Sequence, residues 1–95
     1  MITLDILCAR FATLSPEDLQ RWIAEGHVRG EAAEGTLCFR EIDVERVRLI
    51  LELRDELAVN DDALPVVLSL LDQLYALRRR LRELGIPEDG ARPQG

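Results

Sequence analysis

Apolar residues recur at helical spacing in the first part of the chain and predict two short helices. Asp5 is placed to cap a helix that runs to about Phe11. Ser15 precedes a second helix, Pro16 to Glu25, because proline is favoured at the first helical position and Gly26 is a common helix stop. Its core-facing stripe is Leu19, Trp22 and Ile23. Two helices joined by a tight turn predict a helix-turn-helix unit.

A short hairpin, or wing, is expected next, because β-prone residues flank a glycine-bounded turn. Its strands would be Val28-Arg29 and Thr36 to Phe39, with a polar turn from Gly30 to Gly35. A long helix from Glu41 to Leu57 follows. Its apolar arc is formed by Val44, Val47, Ile50, Leu51, Leu57 and Ala58.

The other side of this long helix is acidic. Helical geometry projects five acids within about 100° of one another, with Arg48 among them. They are Glu41, Glu45, Glu52, Asp55 and Glu56. Arg54 interrupts the apolar arc, and we expect it to snorkel and to pair with a nearby acid. The acidic side is either a solvated surface or a partner-binding surface.

A last helix is predicted from about residue 62 to Leu84. Asn60-Asp61-Asp62 would end the previous helix and cap this one, with Pro65 tolerated in the first turn. One apolar stripe has heptad spacing: Val67, Leu70, Leu74, Leu77, Leu81 and Leu84. A second stripe can close the chain's own core: Leu64, Leu68, Leu71 and Tyr75.

Two stripes on one projecting helix predict a homodimer, with the heptad stripe as its interface. The alternative is a helix that folds back over its own domain and buries both stripes. In either case residues 1–84 are expected to form one domain, and residues 85–95, rich in Gly, Pro and charge, a flexible tail.

Charge restricts the partners of this domain. The 95 residues carry a net charge of −6, and residues 31–62 alone hold ten acids against four arginines. Nucleic acid and anionic lipid would be repelled by the average surface, so a partner with a basic face is favoured. With no apolar run of membrane-spanning length and no signal-peptide pattern, we expect a cytoplasmic protein.

The residues that catalysis or metal binding would need are few. Cys8 and Cys38 do not form a C-x-x-C pair and are expected to be buried free thiols. His27, the only histidine, is expected at the surface or at a helix end. Gly30 and Gly35 lack the spacing of a phosphate-binding loop. The sequence therefore predicts a binding protein without enzyme activity, metal or cofactor.

The order of elements, and residues Ser15, Leu19, Trp22 and Gly26 at the scaffold positions of a S-x-x-T-L-R-Y-Y-E-x-x-G pattern, resemble MerR-type transcriptional regulators. The resemblance implies a mainly α winged helix-turn-helix with a small β wing and a long C-terminal dimerisation helix. Gln20 stands where that family has its DNA-facing arginine, and Leu37 where the wing has a phosphate-contacting one. Residues 1–40 hold six acids and four arginines, which disfavours DNA binding.

The chain is more similar to the CbpM chaperone modulators, which are MerR-like in fold. The resemblance covers about residues 4–84 and is carried by the joint order of four segments. These are Leu19-x-x-Trp22-Ile23-x-x-Gly26-x-Val28, Phe39-x-Glu41-x-Asp43-x-x-Arg46, and Arg54-Asp55-x-Leu57-x-Val59-Asn60 followed by Val67-Leu68-x-Leu70-Leu71-Asp72-x-Leu74-Tyr75-x-Leu77-Arg78.

This second resemblance implies binding to the J-domain of a DnaJ-type co-chaperone of the CbpA kind, and inhibition of its action on DnaK. J-domains present a basic helix to DnaK, and the acidic side of the long helix is complementary to it. The partner-binding residues would be Glu45, Leu49, Glu52, Asp55 and Glu56. The alternative is a dimeric DNA-binding regulator that contacts phosphates through Arg21, Arg29 and Arg40.

Overall fold

A computed structural model describes residues 2–86, which form four helices and a three-stranded antiparallel sheet. The helices are α1 (Leu4–Arg10), α2 (Pro16–Ala24), α3 (Glu41–Asp55) and α4 (Leu64–Glu83). The strands are β1 (Ile2–Thr3), β2 (Glu31–Ala33) and β3 (Thr36–Phe39), in the order β1-β3-β2. A mainly helical fold with a small β wing is therefore confirmed.

The chain divides into two compact units, Met1–Leu64 and Pro65–Gly95, with the boundary in the first turn of α4. The first unit contains the sheet and α1 to α3, and the second contains almost all of α4. A single domain over residues 1–84 stays a prediction.

The sequence predicted Asp5 as the N-cap of α1, but the structure has Thr3 at this position. The Thr3 hydroxyl accepts a hydrogen bond from the backbone N–H of Ile6 at 3.4 Å. Asp5 lies in the first helical turn, where a carboxylate also interacts favourably with the helix dipole. The helix begins early because Ile2 and Thr3 pair with Phe39 and Cys38 of β3, which fixes the chain immediately before it.

The second helix begins as predicted and ends one residue earlier, at Ala24. The Ser15 hydroxyl accepts a hydrogen bond from the backbone N–H of Asp18 at 3.1 Å. At the other end Gly26 has a φ of 83°, and the N–H of His27 donates to the carbonyl of Trp22 at 2.8 Å. These are the features of a Schellman C-cap.

His27 lies at the end of α2, one of the two places that the sequence predicted, and its ring is largely buried and not at the surface. Only 10 % of its side chain is exposed, and its Nε2 lies 3.4 Å from a carboxylate oxygen of Glu25, outside hydrogen-bonding geometry. The cause is the Schellman cap, which turns the chain back toward the helix it has just left. His27 also accepts, through its carbonyl, a hydrogen bond from Arg46 of α3 at 3.0 Å.

The second strand of the wing hairpin, Thr36–Phe39, is confirmed, but its first strand is Glu31–Ala33 and not Val28-Arg29, so the turn is shorter than predicted. Its turn is Glu34-Gly35, with φ values of 52° and 79°, and it sets Glu31 opposite Cys38 in the register. Two residues with positive φ suit the twist of a two-residue hairpin. A third strand, β1, was missed because two residues give no alternation of polar and apolar positions.

Gly30 precedes the hairpin because the chain passes close to β3 there. A Cβ atom at this position would lie 2.8 Å from the Leu37 side chain and 3.1 Å from the Phe39 ring. Only glycine allows this approach without a shift of one of those side chains.

The third helix starts at Glu41 as predicted and ends at Asp55, two residues early. At its start the carboxylate of Asp43, which is buried, accepts a hydrogen bond from the backbone N–H of Arg40 at 3.4 Å. Leu57 and Ala58, predicted members of the apolar arc, are exposed, because the chain turns out of the helix and Ala58 takes a φ of 56°. The buried apolar residues of α3 are Val44, Val47, Ile50, Leu51 and Leu53.

The core of the first unit has Trp22 as its largest fully buried side chain. Every helix and the sheet of this unit contribute to it. Its other buried apolar members outside α3 are Leu7, Leu14, Leu19, Val28, Cys38, Phe39 and Leu64.

The fourth helix begins at Leu64, after a turn in which the Asn60 side chain accepts a hydrogen bond from the N–H of Ala63 at 2.8 Å. Gly85 and Ile86 end it: Gly85 has a φ of 81°, and the N–H of Ile86 donates to the carbonyl of Leu81 at 2.8 Å. These two residues form a helix cap, whereas the sequence predicted a flexible tail from Gly85. Residues 87–95 of that predicted tail lie outside the described residues.

Candidate protein-binding surface

Most of the residues predicted to bind a partner are accessible on one side of α3. We call the set Glu41, Glu45, Glu52, Asp55 and Glu56 the acidic face. Glu41, Glu45 and Glu52 are exposed, and so is Glu56, which is the C-cap residue of the helix. Leu49, the apolar member of the predicted site, is partly exposed. The helix therefore presents its acids together, as its periodicity required.

Two cavities lie beside the acidic face, and Arg10 of α1 lines both; we call them together the α1–α3 groove. The first has a volume of about 520 Å³. Its other lining residues are Ile2, Glu41, Ile42, Val44 and Glu45. The second has a volume of about 270 Å³. Its other lining residues are Phe11, Ala12, Thr13, Arg48, Leu51, Glu52, Asp55 and Glu56.

The groove combines negative charge with apolar surface. All five acids of the acidic face line it against two arginines, Arg10 and Arg48, so its net charge is −3. Ile42, at its edge, is a large apolar residue left 69 % exposed. A surface of this kind suits a partner with both cationic and apolar side chains. Leu49 lines neither cavity and lies outside the groove.

Phe11 was not among the predicted site residues, and it brings an aromatic ring into the groove. The guanidinium carbon of Arg48 lies 5.4 Å from the centroid of this ring, in cation–π range. The same guanidinium is 3.3 Å from the carboxylate of Glu45. Periodicity along α3 could not reveal Phe11, because it follows α1 and reaches the groove only through tertiary packing.

Asp55 lines the groove, but its carboxylate is already engaged within the chain. One oxygen accepts hydrogen bonds from the Thr13 hydroxyl at 2.7 Å and from Arg54 at 3.4 Å, and the other accepts from Nε of Arg54 at 2.8 Å. The hydrogen bonds from Arg54 and Thr13 hold the pKa of Asp55 below its ordinary value. Asp55 therefore joins α3 to the turn after α1. The carboxylates of Glu45, Glu52 and Glu56 are more available for contact with a partner.

Arg54 pairs with acids as predicted, and the structure shows which ones. Its Nη1 donates to Asp18 of α2 at 2.7 Å, and its Nη2 donates to the carbonyl of Thr13 at 2.8 Å. Its guanidinium also lies 5.7 Å from the centroid of the Trp22 ring. One side chain thus connects α3, the α1–α2 turn and the first turn of α2.

The arginines proposed for DNA contact are largely engaged with acids. Arg21 lies 3.1 Å from Asp18 and 3.4 Å from Asp61. Arg40 lies 3.5 Å from Asp43 and 3.9 Å from Glu31. Arg29 is exposed. The acids beside two of these three arginines reduce the positive potential that a phosphate backbone would meet, so this surface is poorly suited to duplex DNA.

The heptad stripe of α4 leaves large apolar side chains accessible. Leu70 and Leu77 are 60 % and 55 % exposed, and Leu74 and Leu84 are exposed as well, whereas Val67 and Leu81 are partly exposed. In the second stripe Leu64 and Leu68 are buried and Leu71 is partly exposed. Tyr75, predicted to belong to the core, is exposed, because the apolar pattern continues along the helix beyond its buried part.

The remaining groups with reactive chemistry are separate from this surface. Cys38 is buried, but Cys8 is partly exposed, which corrects the expectation that both thiols are buried. Burial, with Asp5 and Glu17 nearby, raises the pKa of Cys8, so its thiol stays protonated. Within residues 2–86 no three His, Cys, Asp or Glu side chains are grouped to hold a metal ion. None of the helices described in the structure has the length and apolar character to cross a membrane.

No family model, curated protein or solved structure matches this chain. Its fold and candidate surface define a small helical domain with a β wing and an acidic, partly apolar groove.

Proposed function

We propose that this chain is a protein-binding modulator that docks onto the J-domain of a DnaJ-type co-chaperone and inhibits its stimulation of DnaK. The observation that carries the proposal is the α1–α3 groove, in which the acidic face lies beside exposed apolar surface. No step of chemistry is assigned to the chain, so the proposed role is neither enzymatic nor dependent on a cofactor.

Charge complementarity supports this choice of partner. A basic helix is the surface that a J-domain presents to DnaK, as the resemblance to CbpM modulators implies. A groove of net charge −3 attracts such a helix and accelerates encounter. A chain seated on that helix would occlude it from DnaK, so inhibition follows from binding alone. A DnaK-dependent partner also implies a cytoplasmic location.

A homodimer completes the proposal. The exposed leucines of the heptad stripe offer an apolar surface at coiled-coil spacing, and a second copy of α4 would cover it. Because the acidic face belongs to the first unit and the stripe to the second, dimerisation and partner binding use different residues.

The alternative, a DNA-binding regulator, has no observation in its favour. Two of its three proposed contacts, Arg21 and Arg40, lie within 4 Å of carboxylates of the chain itself. Retention on duplex DNA distinguishes the two functions. A DNA-binding regulator would be retained without a J-domain protein, and its retention would fall steeply with salt.

The test is a DnaK ATPase assay stimulated by an isolated J-domain. We expect the wild-type chain to suppress the stimulation and the triple variant Glu45→Lys/Glu52→Lys/Glu56→Lys to lose this effect. Asp55 is left unchanged because its reversal would also break the contacts with Thr13 and Arg54. The matched control is Glu25→Lys/Glu34→Lys/Asp62→Lys, which makes the same change in net charge at exposed positions outside the groove.

The control separates the groove from a general effect of charge. Equal loss of suppression in both triple variants would show that only net charge matters. No suppression by the wild-type chain, together with sequence-selective binding of duplex DNA at physiological salt, would refute the proposed function.

A further inference from the structure

Two arginines of α3 lie over aromatic rings of the first unit, and they are held very differently. Arg54, over Trp22, is fixed by hydrogen bonds to Asp18, Asp55 and the carbonyl of Thr13, and only 27 % of its side chain is exposed. Arg48, over Phe11, is 47 % exposed. The first contact is part of the scaffold, whereas the second lies in the groove.

The ion pair that accompanies the Arg48–Phe11 contact is weak. Its acid, Glu45, is 66 % exposed, and the pair lies at i and i+3 on the solvent side of the helix. Exposed pairs of this kind contribute little to stability, because water and salt screen them. A cation–π contact at an exposed site is weak as well, so the half-exposed guanidinium of Arg48 can leave the ring at low cost.

The surroundings of the ring suit a cation that comes from outside. Phe11 lines the second cavity of the groove together with Glu52, Asp55 and Glu56, so carboxylates lie along the wall that an incoming cation would meet. An aromatic face with acids beside it is a recurrent way to bind guanidinium and ammonium groups. The protein already places one such group there, its own Arg48.

We propose that Phe11 and the neighbouring acids form a subsite for one arginine or lysine side chain of the partner, and that Arg48 is an internal occupant which this side chain displaces. The proposal rests on the proposed function and assigns to the same groove a specific anchor and a built-in competitor. Arg48 then sets the affinity: it covers the ring in the free protein and lowers the net attraction for a basic partner.

The experiment measures the affinity of the isolated J-domain for four chains by isothermal titration calorimetry at physiological salt. They are the wild type, Arg48→Met, Phe11→Leu and the double variant. We expect Arg48→Met to bind about three- to tenfold more tightly, because the competing cation is gone. Phe11→Leu should bind more weakly than the wild type, and in the double variant the gain from Arg48→Met should disappear.

A charge-matched control distinguishes the subsite from long-range attraction. Arg29→Met removes the same charge from an exposed position outside the groove and should change the affinity by less than about twofold. Circular dichroism and thermal unfolding of each variant show whether it is folded. A shift of the Phe11 ring resonances during a J-domain titration gives a second measure that does not depend on any substitution.

The outcomes separate the two proposals. Binding by the wild-type chain with no greater gain for Arg48→Met than for Arg29→Met, or with a loss, would overturn the subsite and leave the proposed function standing. Undisturbed Phe11 resonances in a saturated complex would overturn it as well. Failure of the wild-type chain to bind the J-domain at all would refute the proposed function and the subsite together.

Discussion

Arg54 and Asp18 form an ion pair with a distance of 2.7 Å between Nη1 and Oδ2, which joins the end of α3 to the first turn of α2. In a winged helix-turn-helix that reads DNA, the N-terminal residues of the second helix contact base edges in the major groove, close to the anionic phosphates. Here an acid opens that helix and is satisfied from within the protein by Arg54 and Arg21. The carboxylate of Asp18 is thus held within the protein, and the acidic face of α3 is the more exposed group of charges.

Removal of the Arg54 guanidinium should destabilise the fold. The Arg54→Met variant leaves the partly buried Asp18 without its closest cation and the Thr13 carbonyl without its donor, so we expect a loss of about 2 kcal/mol in the free energy of unfolding. Urea denaturation measures it. The control is Arg29→Met, an exposed arginine, for which the change should stay within about 0.5 kcal/mol. Equal small effects for both variants would contradict a structural role for Arg54.

Acid should weaken the fold through Asp18. Burial raises the pKa of this carboxyl. Hydrogen bonds with Arg54, Ser15 and Arg21 together lower the pKa by more than burial raises it, so the net shift is downward. A group with a depressed folded pKa contributes stability that is complete above its unfolded pKa, about 3.9, and is lost as the pH falls through its folded pKa. Urea denaturation midpoints should be measured at a series of pH values from about 6 to about 2.5. We expect the midpoint concentration of urea to decrease once the pH is below about 4.

The same series on the Asp18→Asn variant isolates the contribution of this carboxyl. Asparagine does not titrate, so the variant should be less stable than the wild type near neutral pH and should lose less stability on acidification. An unchanged slope in the variant would assign the acid sensitivity to other carboxyls.

The heptad stripe should control the oligomeric state. Glutamates at Leu70 and Leu77 would place charges in the proposed interface, and because both leucines are more than half exposed, the monomer fold should tolerate them. Sedimentation equilibrium should show a dimer for the wild type and a monomer for Leu70→Glu/Leu77→Glu. Tyr75→Glu, an exposed aromatic residue outside the stripe, should remain dimeric. A wild-type chain that is monomeric at all concentrations would contradict the dimer.

Glycine at position 58 should stabilise the chain. Ala58 has a φ of 56°, a left-handed conformation that is unfavourable for residues with a Cβ atom. We expect Ala58→Gly to raise the free energy of unfolding by about 0.5–1 kcal/mol, since glycine adopts this conformation freely. Ala24→Gly, at the last position of α2, is the control and should lower it by a similar amount. A loss of stability in both variants would mean that the greater freedom of glycine in the unfolded chain dominates at position 58.

Local signals in the sequence determined most of the secondary structure. The Ser15-Pro16 start, the Gly26 stop and the apolar periodicity placed α2 and most of α3, because caps and helical spacing act within a few residues. The acidic face followed for the same reason, since 3.6 residues per turn fix which side chains share a side of a helix.

Tertiary structure decided what depends on residues far apart in the chain. Phe11 and Arg10 reach the acidic face only because α1 packs near α3, and no spacing within either helix encodes that contact. The partner of Arg54 among the acids, the pairing of β1 with β3 and the left-handed turn at Ala58 likewise depend on where distant segments meet. The sequence by itself thus determined the charge and the periodicity of the acidic face. Packing of the folded chain placed the Phe11 ring and Arg10 beside this face, because contacts between residues far apart in the sequence form only on folding.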